Sequence, residues 1–134
     1  MGLSANMSLE EVRDFFKDDR FATEAAGCTI TEAAKGYAKV EMQIKPIHLN
    51  AHGGVMGGAI FTLADFAVAI ASNVGEEPSA SIDMDIKFMS RCKGEKLIAT
   101  ATTNKSGRSI GFYSVNIEDD LGTPVAFVAA TCAR

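Results

Sequence analysis

Hydrophobic residues near the N-terminus recur with a helical period. Ser8 and Glu11 have the spacing of a capping box, in which each side chain accepts a hydrogen bond from the backbone N–H of the other residue. The pattern predicts a short helix that starts at this box and runs through about Lys17. Its apolar face would consist of Leu9, Val12, Phe15 and Phe16.

From Gly27 onward the period changes to two, because apolar and polar residues alternate along most of the remaining chain. Glycines and charged residues separate the alternating segments and mark turns, and Pro46 ends one of the segments. This pattern predicts six strands, over residues 28–34, 37–44, 81–88, 95–104, 109–119 and 123–133.

One long apolar segment interrupts the series of strands. It begins at Gly57 and Gly58 and continues without a helix breaker to Gly75, which is long enough for four turns of helix. A helix that is apolar on most sides has to be covered almost completely. We therefore predict an α+β fold, in which a curved antiparallel sheet of five or six strands wraps around this central helix and a second subunit covers the rest.

Length and composition narrow the possible functions. The 134 residues suffice for one domain, and a net charge of −4 disfavours binding to nucleic acid, whose phosphates require a basic surface. The 2 histidines and 3 cysteines lack zinc-ligand spacing, so we expect no metal, and reduced cysteines suit a cytoplasmic protein. The N-terminus does not resemble a signal peptide, and the longest apolar stretch, residues 59–71, is shorter than the roughly 20 residues of a membrane helix. We expect no membrane partner.

Asp65 is the most informative residue, because an unpaired carboxylate in the middle of the most hydrophobic segment is costly. Thr62, Asp65 and Ser72 lie on one face of the predicted helix. This stripe is either the solvent-facing side of the helix or a functional site. A solvent-facing side normally carries Lys and Glu, which this helix lacks, so the pattern favours a functional carboxylate.

Gly57 and Gly58 stand where the first N–H groups of the helix have no partner within it. Glycines at this place let a ligand approach the backbone, and the N–H groups can stabilise an oxyanion. Close packing of the helix is the alternative reading of these glycines. Two similar-looking motifs are set aside: Gly107–Gly111 matches G-x-S-x-G but lies between predicted strands, and His52-Gly53-Gly54 lacks a serine nucleophile to assist.

Residues 49–65, LNAHGGVMGGAIFTLAD, resemble the motif of the hotdog-fold acyl-CoA thioesterases of the phenylacetate-pathway type. The resemblance extends over about residues 28–133. One position departs from the motif, since the family histidine before the two glycines is Met56 here. The matching positions are Asn50, Gly53, Gly57, Gly58 and Asp65.

The resemblance implies roles for these residues in acyl-CoA hydrolysis. The backbone N–H of Gly57 and the side chain of Asn50 would bind the thioester carbonyl, and Asp65 would act as nucleophile or as general base toward water. Ser81 would orient that water or the carboxylate, unless it is an ordinary serine at the start of a strand. Further contacts to substrate or coenzyme A would come from Met56, Gly58, Ser90, Arg91, Lys105, Ser106 and Arg108, of which the three basic residues are otherwise solvated charges.

The resemblance also implies an assembly and an extent for the domain. In hotdog dimers the site is shared between subunits, so we expect a homo-oligomer, and a dimer of dimers in particular. Residues 27–134 would form the hotdog domain after an N-terminal helical segment at 1–26. No cofactor is expected beyond the coenzyme A of the substrate, whose acyl group would be aryl, phenylacetyl or short-to-medium chain. A protein that binds acyl thioesters without hydrolysing them is the alternative, because of Met56, and a hotdog dehydratase is a weaker third reading.

Overall fold

The computed structural model describes residues 2–134; Met1, the first residue of the predicted N-terminal segment, lies outside them. Helix α1 spans Leu9–Phe16, and helix α2 spans Gly57–Asn73. A π-helical turn, Phe21–Ala25, follows α1, and a 3-10 turn, Pro46–His48, precedes α2. The strands are β1 (Cys28–Ala34), β2 (Tyr37–Gln43), β3 (Ala80–Phe88), β4 (Lys96–Ser106), β5 (Ile110–Asp119) and β6 (Pro124–Ala133).

Within residues 2–134, six strands form one antiparallel sheet in the order β1-β2-β4-β5-β6-β3. The predicted strands are therefore confirmed, with ends that differ by one or two residues from the pattern for most of them. Strand β3 follows α2 in the chain and lies beside β6 at the far edge of the sheet. This crossover carries the start of β3 to the C-terminal half of α2.

Helix α2 packs against one face of the sheet and forms the centre of the core. Its buried positions include Leu63, Ala67 and Ile70, which are fully inaccessible to solvent. The strands supply alternating residues to the same core, as the burial of every second residue in β4 and β5 shows. The α+β fold predicted from the periodicity is confirmed.

The N-terminal segment covers a further side of α2. The predicted capping box of Ser8 and Glu11 is present and starts α1. Phe16 reaches Phe66 of α2 with ring centroids 6.2 Å apart in an edge-to-face arrangement. Phe15 was expected on the apolar face and is instead 52% exposed, since only Val12 and Phe16 of this helix are buried. No helix within residues 2–134 has the length and hydropathy that a membrane crossing requires.

Strand β3 is exposed on both faces along most of its length. Its outer edge has no neighbouring strand among residues 2–134, and Ile82 and Phe88 are 63% and 56% exposed. An edge strand with large apolar side chains is a surface that readily pairs with another chain.

Candidate active site

A cavity of about 490 Å³, here called the Gly57 cavity, opens at the start of α2. One wall comes from the loop before α2 and from the first turn of α2, and the other comes from the end of β3 and the residues that follow it. Apolar and polar groups both line it, namely Asn50, Gly54, Val55, Gly57, Ile60, Phe88, Met89, Ser90, Arg91 and Cys92.

Asn50 organises the loop that leads into α2. Its side-chain Oδ1 accepts hydrogen bonds from the backbone N–H of His52 (2.9 Å) and of Gly54 (3.1 Å). Gly53 adopts a φ of 83°, the left-handed conformation that glycine tolerates best. With Oδ1 used by the loop, the amide Nδ2 of Asn50 has no acceptor within residues 2–134 and is available to a ligand in the cavity.

The buried side chain of His48 anchors the start of the same loop. Its Nδ1 accepts a hydrogen bond from the backbone N–H of Lys45 at 3.0 Å, and its Nε2 lies 2.7 Å from the carbonyl of Ala26. Because Nδ1 accepts from the Lys45 N–H and the Ala26 carbonyl can only accept from Nε2, the imidazole carries its proton on Nε2. His48 is therefore structural. His52, the histidine of the similar-looking His-Gly-Gly motif, is exposed and does not line the Gly57 cavity.

The first turn of α2 offers backbone N–H groups at the edge of this cavity. Among residues 2–134 no backbone carbonyl accepts from Gly57 or Gly58, and the N-cap residue Met56 provides no side-chain cap. These groups carry the positive end of the helix dipole. A Cβ at Gly57 would lie 3.0 Å from the ring of Phe88, whereas a Cβ at Gly58 would find its nearest neighbour at 3.9 Å. The ring of Phe88 therefore lies close against Gly57, and a side chain at this position would require the ring to shift.

Asp65 lies between two other cavities. A cavity of about 360 Å³, here called the N-terminal cavity, lies between α2 and the segment that contains the π-helical turn. A smaller one of about 190 Å³, here called the serine cavity, lies on the other side of Asp65, between α2 and the start of β3. The serine cavity contains Ser72, Ser79 and Ser81. The hydroxyl of Ser79 is buried without a hydrogen-bond partner within residues 2–134.

The stripe of polar residues on α2 runs along both of these cavities, and its middle residue, Asp65, is exposed to solvent. Thr62 lies in the N-terminal cavity, Ser72 is buried in the serine cavity, and Asp65 borders both. Partial burial among apolar side chains raises the pKa of Asp65, and the nearby negative charge of Asp19 raises it further. A carboxylate with a raised pKa and no partner is a candidate base or nucleophile.

Within one chain, Asp65 and Gly57 belong to different cavities. They are separated by two turns of α2, which is about 12 Å along the helix axis. A carbonyl bound at the N–H of Gly57 is out of reach of the carboxylate of Asp65 in the same chain.

The other predicted residues divide between the cavities and the surface. Ser90 and Arg91 line the Gly57 cavity together with Asn50, and Ser81 joins Asp65 in the serine cavity. Met56 is 57% exposed beside the helix start and lines none of the three cavities. Three more predicted residues, at the end of β4 and in the turn after it, are exposed and line none of them either: Lys105, Ser106 and Arg108.

Sequence reasoning missed two groups of residues that line these cavities. Phe88 and Met89 line the Gly57 cavity. Asp19 and Phe21 line the N-terminal cavity. The alternation of β3 indicated that Phe88 faces one side, but no local signal indicated which ligand-binding loop lies there. Within residues 2–134, no three His, Cys, Asp or Glu side chains cluster closely enough to hold a metal ion.

Comparison with known proteins identifies the family. A model of the thioesterase superfamily matches residues 52–126. The chain belongs to the thioesterase superfamily. It is 36% identical over 128 residues to a putative esterase of Archaeoglobus fulgidus, a match that covers 94% of this chain and 82% of that protein. It is 35% identical to acyl-coenzyme A thioesterase 13 of Homo sapiens, with 85% of this chain and 84% of that protein covered.

The family membership also confirms the hotdog fold. The solved structure of the PaaI protein from the phenylacetic acid degradation operon of Escherichia coli matches this thioesterase with a TM-score of 0.87 and 26% identity, over 94% of this chain and 92% of that one. The long central helix is α2, and the six-stranded antiparallel sheet packs against it. The resemblance found in the sequence is confirmed, and this member of the superfamily is a thioester hydrolase.

Proposed function

We propose that this enzyme hydrolyses acyl-CoA thioesters to a free acid and coenzyme A at a site shared between two subunits. The observation that supports it is the division of the chemistry between cavities. Hydrogen-bond donors at Gly57 and Asn50 lie in one cavity, and the unpartnered carboxylate of Asp65 lies in another. A second copy of the chain would supply the half of the site that each copy lacks. We propose that the homo-oligomer, a dimer of dimers, acts in the cytoplasm.

In the proposed reaction the N–H of Gly57 and the Nδ2 of Asn50 of one subunit donate hydrogen bonds to the thioester carbonyl oxygen. These bonds strengthen as negative charge develops on that oxygen. Asp65 of the other subunit either removes a proton from the water that attacks the carbonyl carbon, or attacks this carbon itself and forms a mixed anhydride that water then hydrolyses to the free acid and Asp65. The carbon–sulfur bond breaks, and coenzyme A leaves as a thiolate that takes up a proton.

Ser81 and Arg91 have supporting roles in this proposal. Ser81 lies beside Asp65 in the serine cavity, where its hydroxyl would orient the attacking water. The guanidinium of Arg91 lies on the wall of the Gly57 cavity, close to Gly54. A Cβ added at Gly54 would be 3.5 Å from the central carbon of this guanidinium. A guanidinium there would pair with a phosphate of coenzyme A. The proposed acyl groups are aryl, phenylacetyl or short-to-medium chain.

Asp65→Asn tests the enzymatic proposal. Asparagine is nearly isosteric but cannot act as base or nucleophile, so we expect kcat for phenylacetyl-CoA or hexanoyl-CoA to fall by at least about 100-fold. Release of free thiol measures kcat, and the thermal midpoint Tm checks the fold. Asp14→Asn, which alters an exposed carboxylate on α1, is the matched control and should retain the parent kcat. Equal kcat in the Asp65→Asn variant and the parent would contradict the role of Asp65.

A binding protein without efficient hydrolysis is the second candidate, and one observation favours it. Met56 stands at the family histidine position and cannot donate a hydrogen bond to a thioester. Saturable binding of acyl-CoA without thiol release above the uncatalysed rate would decide for this candidate.

A further inference from the structure

The N-terminal cavity is lined by more aromatic rings than either of the other two cavities. Its walls are mainly apolar, with the rings of Phe21, Phe61 and Phe66 around it, and Asp65 stands on one wall. Its volume of about 360 Å³ lies within the range of small-molecule sites, which begins at roughly 300 Å³. The segment just after α1 closes this cavity on one side, through Asp19 and Phe21.

The charges around the cavity are predominantly negative. Asp19 and Asp65 both contribute to its lining, and neither makes an ion pair or side-chain hydrogen bond within residues 2–134. Arg20 also lines it, but its guanidinium is paired with the carboxylate of Glu24. Asp18 adds negative charge close to Asp19. Burial raises the pKa of both cavity carboxyls, which agrees with their apolar surroundings.

The place of Asp65 limits what this cavity can hold during the proposed reaction. When the carboxylate reaches the thioester carbon, the acyl group must extend from that carbon next to Asp65. The serine cavity is about half as large and is lined by Ser72, Ser79 and Ser81, which suits a water molecule. The N-terminal cavity is the larger of the two spaces that touch Asp65, and of the two it is the one lined by aromatic rings.

We propose that the N-terminal cavity binds the acyl group of the substrate and that Asp19, beside Asp65, selects against acyl groups that carry a carboxylate. This inference rests on the proposed function. Three aromatic rings favour an aryl or alkyl group, because burial of each methylene favours binding by about 0.8 kcal/mol, which is about fourfold in affinity. A terminal carboxylate would be placed next to the negative charge of Asp19, and like charges repel.

Two substrates of equal chain length test the selection. Hexanoyl-CoA and adipoyl-CoA both have six-carbon acyl groups and differ by a terminal carboxylate. We expect the parent to prefer hexanoyl-CoA in kcat/KM by more than about tenfold. Asp19→Asn should reduce this ratio by about tenfold, mainly by improving adipoyl-CoA. Asp18→Asn removes the same charge one residue away, outside the cavity lining, and should keep the ratio within about twofold of the parent.

A second variant tests the apolar wall. Phe21 is 73% exposed, so Phe21→Ala removes a ring with little effect on the fold, which Tm will verify. We expect its kcat/KM for hexanoyl-CoA to fall at least about threefold relative to that for acetyl-CoA, whose acyl group is too short to reach the ring.

The acid limb of the pH profile gives a third readout. Asp19→Asn removes a charge that raises the pKa of Asp65, so this limb should move to lower pH.

The outcomes separate this inference from the proposed function. An unchanged hexanoyl-to-adipoyl ratio in Asp19→Asn, or an equal change in Asp18→Asn, would overturn the inference while hydrolysis continues. If the parent hydrolyses no acyl-CoA, the proposed function fails. The preference for hexanoyl-CoA over adipoyl-CoA is then measured as the ratio of the Kd values of the two thioesters. A Kd ratio that Asp19→Asn lowers about tenfold would then support the cavity assignment, and an unaltered ratio would overturn it.

Discussion

At the scale of single residues, Asp65 and Asp119 show how surroundings give two carboxylates different properties. Asp65 has apolar neighbours and no hydrogen-bond partner within residues 2–134, and its pKa is raised. Burial also acts to raise the pKa of Asp119, but hydrogen bonds from the N–H groups of Lys93, Thr123 and Gly94 outweigh burial and hold it well below its usual range. The first carboxylate is suited to chemistry and the second to holding the turn between β5 and β6.

Asp119→Asn should therefore destabilise the fold. The amide keeps one acceptor oxygen and brings a donor toward the N–H groups that now point at Oδ1 and Oδ2, so we expect Tm at pH 7 to fall by about 5 °C or more. Because the folded-state pKa is lowered, the stabilisation is present above the unfolded pKa of about 3.9 and is lost as pH falls below it. The difference in Tm from the parent should shrink below about pH 4. Glu118→Gln, at an exposed neighbouring position, is the control and should leave Tm unchanged.

Met56→His restores the family histidine at the start of α2. The position is 57% exposed, so the change should cost little stability, about 0.5 kcal/mol or less. The imidazole would stand next to Gly57 and could donate to the carbonyl oxygen, so we expect kcat/KM for hexanoyl-CoA to rise about fivefold. His52→Ala is the control, because His52 lies outside the Gly57 cavity, and it should leave kcat/KM unchanged. A fall in kcat/KM would contradict a supporting role for an imidazole at this position.

At the scale of elements, the first turn of α2 serves both the fold and the proposed site. Gly57→Ala places a methyl group 3.0 Å from the ring of Phe88, at the N–H proposed to bind the carbonyl. Phe88 is exposed enough for its ring to move, so we expect Tm to be retained while kcat/KM falls by about tenfold or more. Gly58→Ala provides the matched control for stability, since its methyl group has space, and its Tm should equal or exceed that of the parent. Undiminished kcat/KM in Gly57→Ala would remove this N–H from the mechanism.

At the scale of the whole molecule, one exposed apolar surface lies along β3. Most of α2 is already covered by the sheet and by α1, so the helix by itself does not require a second subunit. Ile82, Phe88 and Met89 remain 63%, 56% and 53% exposed along one edge of the sheet. This edge is where we expect the second copy of the chain to bind.

Light scattering coupled to size exclusion tests the assembly at micromolar concentration. We expect a mass of two or four times the 14.2 kDa of the chain. Ile82→Asp introduces a charge on the exposed edge strand and should shift the protein toward a single chain with little hydrolytic activity, because each chain holds only half of the proposed site. An active, monodisperse parent protein of one chain would contradict both the assembly and the shared site.

The sequence by itself determined the elements of this protein. The capping box at Ser8, the alternation that produced all six predicted strands and the long apolar segment from Gly57 each depend on neighbours a few residues away. The motif around Asn50 and Asp65 likewise lies within one short stretch, which is why the family could be identified from it. Local backbone geometry and local motifs are properties that a linear pattern contains.

The tertiary structure decided which of these elements meet. The crossing of β3 to the edge beside β6 brings Ser81 to Asp65 and Phe88 to Gly57. The fold of the N-terminal segment over α2 brings Asp19 to Asp65, 46 positions away in the chain. It also explains why Phe15 is exposed while Phe16 is buried, since only one of two adjacent rings can face α2. Such contacts depend on how the whole chain buries its apolar surface, and periodicity records only which face of each element is apolar.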